Sequence, residues 1–285
     1  TMKRWFRRYI DLRDHGAAER ILLTLHDRGE PADVLADFVF SAATDFYFTG
    51  DGHALDFANK MFEALDYVDW EGAQEILRPI VVDLVSRTRH EETTRWAESL
   101  PVLEDVFSRL GDIWRANQEN KAGGNGNSPA FDIPAFSQIL LGDDFAPIIA
   151  QIEAQLRQGV DPRDLCRAMT YAGAVRTVRF HLKHEGDWHD VANIYSYAHG
   201  LYRAFQLAPS AELLRGLFHG AVFTTYLRWL NMPSARLPRA GQRLSGEENF
   251  DSPQAMLLRL QELADFQKVA EGEILVNQYL EEGHD

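Results

Sequence analysis

The stretch GHALDFANKMFEALDY, residues 52–67, decides the fold. Asp51-Gly52 breaks the chain just before it. From about Ala54 the apolar residues recur at three- and four-residue spacing, which predicts a helix to Tyr67. His53, Asp56, Phe57 and Lys60 then share one side of that helix, and Met61, Ala64 and Leu65 extend the apolar stripe. Working outward, the same periodicity predicts helices over about 17–28, 32–48, 70–88, 161–183, 188–207 and 210–230. Gly29 follows the first of these as a stop signal. Ser252-Pro253 is a capping residue followed by proline at the first helical position, opening one final helix over about 252–280. Strand-like alternation is scarce, so the expected class is all-α.

The opening stretch has an echo. GHALDFANKMFEA from Gly52 aligns with GDWHDVANIYSYA from Gly186, sharing Asp56/Asp190, Ala58/Ala192, Asn59/Asn193 and Ala64/Ala198. Upstream Asp33-Val34 pairs with Asp164-Leu165, and downstream Glu75 to Arg78 pairs with Glu212 to Arg215. Preserved order with a slowly growing separation predicts two repeated three-helix units with pseudo-twofold character. They would span about 17–116 and 133–238, joined by a flexible loop over 117–132, within a single all-helical domain over 1–285. Chance likeness between amphipathic helices is the alternative.

Composition narrows the function classes. The 285 residues carry a formal net charge of −14, which argues against broad binding to a nucleic-acid backbone. A single cysteine, Cys166, excludes an internal disulfide and fits a reducing compartment. No apolar run approaches the ~18–20 residues that span a bilayer, and the start lacks a secretory pattern, so the expectation is a soluble cytoplasmic protein without a membrane partner. The N-terminal MKRWFRRYIDLR is a basic amphipathic helix, suited to packing on the acidic body or to touching a membrane or partner.

Three histidines on three apolar segments are the candidate chemistry: His53, His181 in TVRFHLKH and His219 in RGLFHGAVF. Lys60, two turns after His53, is costly to bury unpaired; it either snorkels to water or is a low-pKa or carbamylated lysine able to join a metal site. His181 closes a helix and fits interaction with the helix dipole as well as ligation. His219 lies mid-helix among Leu214, Leu217, Phe218, Val222 and Phe223, where a buried imidazole needs partners, Tyr226 being one option. His90, in the charged run RHEETTRW, and His199, between Tyr195 and Tyr202, rank second. Imidazoles from separate helices of a bundle are a common way to build a transition-metal site. Three neutral donors and one anion suit iron(II), and zinc fits by ligand type.

The segments GHALDFANKMFEALD, RFHLKHEGDW and ELLRGLFHGAV with RWLNMPSARLP resemble the helical region that precedes a Rieske ferredoxin domain in some bacterial proteins. That region is similar, more distantly, to questin oxidase-like proteins, all-helical and including non-haem iron oxygenases. The resemblance implies His53, His181 and His219 as iron ligands, with Lys60 as a modified further donor. It also implies a hydrophobic or aromatic small-molecule substrate. A Rieske centre needs two cysteines, so electrons would come from a separate Rieske or ferredoxin-type donor. The expectation is therefore a non-haem iron oxidoreductase, an oxygenase in the first instance. The alternatives are a non-catalytic helical module that binds a protein or ligand, or an accessory domain that docks a Rieske-type redox partner.

Overall fold

A computed structural model of the chain describes residues 2–92, 96–123, 131–181, 188–235, 238–246 and 249–284. Among them lie fourteen α-helices and no strand, as the periodicity predicts. In order they are α1 (Met2–Asp11), α2 (His15–Asp27), α3 (Ala32–Ala43), α4 (His53–Tyr67), α5 (Ala73–Ser86), α6 (Leu100–Phe107) and α7 (Leu110–Gly123). The second half holds α8 (Ile133–Leu140), α9 (Phe145–Arg157), α10 (Pro162–Val178), α11 (Trp188–Leu207), α12 (Leu214–Tyr226), α13 (Pro253–Asp265) and α14 (Val269–Glu281). No described helix is long and apolar enough to cross a membrane.

The helix ends follow local chemistry. Asp14, Asp132, Asp144, Asp161 and Ser252 each accept a backbone N–H of the first turn, at α2, α8, α9, α10 and α13. Helix α7 continues to Gly123, so the connector expected over 117–132 begins later; residues 124–130 lie outside the described part.

The chain divides into two compact units, Thr1–Met232 and Pro233–Asp285. In the first, one continuous apolar core runs from Phe6 to Leu230. Helix α10 packs along α11 and α8, and α11 also packs along α4. The basic helix α1 lies on α2 and α3, where Lys3 Nζ donates to Asp37 at 2.7 Å and Arg7 Nε to Asp45 at 2.6 Å. Buried Arg89 closes the other end of α1 by donating to the Ile10 and Asp11 carbonyls, its guanidinium stacked 3.6 Å over the Phe46 ring.

The second unit has its own small core of Leu244, Met256, Leu263 and Leu275. Here the structure corrects the sequence reading: the final helix expected over about 252–280 is two helices, α13 and α14. The chain turns at Gln267, whose φ of 55° is left-handed, while Gln267 N donates to Ala264 O and Lys268 N to Leu263 O. That is the usual helix-ending hydrogen-bond pattern with glutamine where glycine is commonest.

Candidate functional site

Four of five consecutive residues after α3 take left-handed backbone angles: Phe48 (φ 44°), Gly50 (58°), Asp51 (57°) and Gly52 (87°). For Phe and Asp this costs about 1–2 kcal/mol each, so the surroundings must hold them. They do. Gly50 N donates to Thr88 O at 2.9 Å, and Tyr47 N donates to Glu91 Oε2 at 3.1 Å. Phe48 is wedged between Phe223 and Tyr197, with ring centroids 4.0 and 4.6 Å away. Gly52 is required where it stands. A Cβ there would meet Phe48 Cζ at 2.8 Å and Tyr197 Cδ2 at 3.0 Å.

This bend delivers Asp51 to His90. His90 Nε2 donates to Asp51 Oδ1 at 3.0 Å, and the buried imidazole lies stacked with Trp96 and Phe48. Trp96 also meets His219, edge to face; that histidine lies in the middle of α12 and is 1 % exposed. Tyr47, Phe107 and Trp96 present their rings to it at 5.2, 5.3 and 6.3 Å, and Tyr226 packs on Trp96 at 5.6 Å. Together they make an aromatic box around one imidazole.

The box is unfavourable to charge. Burial, reinforced by the nearby Arg215 and His90, pushes the His219 imidazole down to about 3, so it is neutral near pH 7. Burial, together with Glu104 and Glu91, pushes the Tyr47 phenol up to about 12. Arg215, one turn before His219, is itself answered by Asp45 at 2.7 Å. Neither ring nitrogen of His219 has a hydrogen-bond partner among the described residues, and neither does Trp96 Nε1. A neutral imidazole so placed can donate at one nitrogen and accept, or ligate, at the other.

The other expected site residues are elsewhere. His53 begins α4 half-buried, its ring 5.7 Å from that of Phe57. The face it shares with Lys60 is the outer one; α4 buries Ala54, Leu55, Ala58, Asn59, Met61, Phe62 and Leu65 instead. Lys60 is accordingly 58 % exposed and donates to Glu63 at 2.7 Å. His199, 53 % exposed, lies 3.6 Å from the same Glu63. His181 stands half-buried just past the end of α10. Among the described residues, no group of three His, Cys, Asp or Glu side chains gathers so as to hold a metal ion. His53, His181 and His219 therefore do not converge as the expected triad would require.

Sequence reasoning missed Asp51, Tyr47, Phe48, Trp96 and Phe107, and ranked His90 too low. The one available signal was Gly50-Asp51-Gly52, a run suited to left-handed turns. A cleft of about 570 Å³ opens elsewhere, lined by Lys121, Phe131, Asp132 and Asp161 among others, with no histidine. Its lysine is already answered by Asp161 at 3.0 Å.

No protein-family model matches the chain, and neither a curated protein nor a solved structure matches it.

Proposed function

We propose that this protein binds a small molecule, flat and largely apolar with one hydrogen-bonding group, at the aromatic box around His219. The observation that carries the reading is the pair of buried His219 ring nitrogens without a partner among the described residues. A histidine kept only for packing is normally satisfied by its neighbours, and each orphaned buried polar group costs about 1–3 kcal/mol. A ligand with a hydroxyl, carbonyl or ring nitrogen would remove that cost, while Tyr47, Trp96 and Phe107 would take its apolar body.

A second reading is the non-haem iron oxidoreductase, an oxygenase of a hydrophobic or aromatic substrate fed by a Rieske or ferredoxin-type donor. It is favoured by His90, oriented by a carboxylate as metal-binding imidazoles commonly are, and by His219, which meets the same Trp96 ring. Two imidazoles without a third gathered donor do not make the open iron site that chemistry needs, so no step through iron, or through zinc, is drawn. The repeat belongs to the same set of inferences. The two copies of a three-helix unit would lie within about 17–116 and 133–238, with α3–α5 and α10–α12 as the matched helices; the packing of α4 along α11, where Gly200 meets Leu55, fits this reading.

Native mass spectrometry and metal analysis of the full chain, purified without chelators, test both readings. An organic mass released on denaturation, and lost in a folded His219→Ala variant, is the expected result. Stoichiometric iron lost in both His90→Ala and His219→Ala would move the conclusion to the oxidoreductase. A wild-type chain carrying neither, with His219→Ala simply collapsing, would reduce His219 to a core residue.

A further inference from the structure

A different cluster lies where the end of α10 meets the turn after α12. Arg176, in the last turn of α10, is only 4 % exposed. Its Nε donates to Thr224 O at 2.9 Å and its Nη1 to Asn231 Oδ1 at 3.1 Å, while Asn231 Nδ2 donates back to Arg176 O at 2.9 Å. The guanidinium is thus locked in place by neutral groups, and its buried Nη2 has no partner among the described residues. Buried arginines are ordinarily paired with carboxylates. Elsewhere the sheltered Arg215 obeys that rule, paired with Asp45 at 2.7 Å, while buried Arg89 is spent on the Ile10 and Asp11 carbonyls.

Two more cations are placed near it by the chain: Arg179 lies one turn further along α10, and Arg228 lies between Thr224 and Asn231, the two residues that Arg176 bonds. Arg179, which caps α10, and Arg228, in the turn after α12, are both half-buried, and neither makes an ion pair among the described residues. Arg228 reaches only the Thr225 carbonyl, at 3.4 Å. Among the described residues, the carboxylate whose field reaches Arg176 is Asp143, exposed and not in contact. Burial, with Arg228 and Arg179 adding to it against Asp143, pulls the Arg176 guanidinium down to about 10. Capping of helix carbonyls accounts for Arg176 and Arg228 singly. It does not account for three positive charges in this region that make no ion pair among the described residues, in a chain with 43 acidic residues and 29 basic ones.

We propose that Arg176, Arg179 and Arg228 form a site for a small-molecule oxyanion, a phosphate or carboxylate group. Arg179 and Arg228, the more accessible pair, grip the anion; Arg176 stands behind them, oriented by Thr224 and Asn231. Guanidinium forks match either oxyanion in two-point hydrogen bonding. An extended polyanion is excluded as the occupant, since three cations on a body of charge −14 cannot follow a phosphate backbone.

The test uses the full chain with inorganic phosphate as the probe, followed by thermal shift and calorimetry against sodium chloride of matched ionic strength. Phosphate is expected to raise Tm saturably where chloride does not. Arg179→Ala/Arg228→Ala, which spares the buried Arg176, is expected to fold and to bind phosphate at least tenfold more weakly. Asp143→Asn is expected to bind it a few-fold more tightly. An equal response to chloride, an unchanged response in the double variant, or binding confined to phosphatidylglycerol vesicles would each overturn the proposal.

Discussion

His219 shows how much one side chain's surroundings decide. A free imidazole titrates near 6.5, while the box holds this one down to about 3. The sign follows from which state takes the proton first. Below pH 6.5 the unfolded chain is protonated at this position and the folded chain is not, so stability is intact above that pH and declines as pH falls toward 3. At ~1.4 kcal/mol per unit, the loss attributable to His219 between pH 6.5 and 4 is roughly 3 kcal/mol. His219→Gln should flatten that part of the profile, measured by urea unfolding at pH 7 and pH 4. The burial of His219 was legible from its apolar neighbours at helical spacing. The fate of His53 and Lys60 was not. Spacing says which residues share a face of α4, not which face turns inward, and half-exposed Phe57 made the outer face look like the inner one.

Between elements, the clearest joint is Asp45. It follows α3 and accepts from Arg7 on α1 at 2.6 Å and from Arg215 on α12 at 2.7 Å. Its side chain is 16 % exposed, and removing it leaves the sheltered Arg215 without an ion pair among the described residues and Arg7 with only the longer Glu212 contact at 3.7 Å. Asp45→Ala should therefore cost about 3 kcal/mol, read as a lowered denaturation midpoint with an unchanged m-value. The helices themselves could be read from the sequence because their apolar periods are long and their caps regular. What could not be read were joints made by residues far apart in the chain, such as Asp51 with His90, or turns made by atypical residues. Gln267 is the plain case. Nothing in its side chain announces a left-handed turn, so the last two helices read as one.

At the scale of the whole molecule, the all-helical class was evident from the sequence. The division into two units was not, because the break at Met232-Pro233 carries few signals beyond the proline itself. The two cores are very unequal. Among the described residues, four buried apolar side chains serve the second unit, while the first is filled from α1 to the turn after α12.

The bend over 48–52 bears on the order of events during folding. Its left-handed angles gain only short-range turn bonds locally, such as Gly52 N to Phe48 O at 3.3 Å; the rest of their compensation comes from Phe223, Tyr197 and Thr88, which must already be in position. The bend is therefore among the last parts to settle and the first to loosen. Gly52→Ala, crowded against Phe48 and Tyr197 at a φ of 87°, should destabilise the protein by about 2–3 kcal/mol. In stopped-flow measurements nearly all of that loss should fall on the unfolding arm of the chevron, with refolding rates almost unchanged.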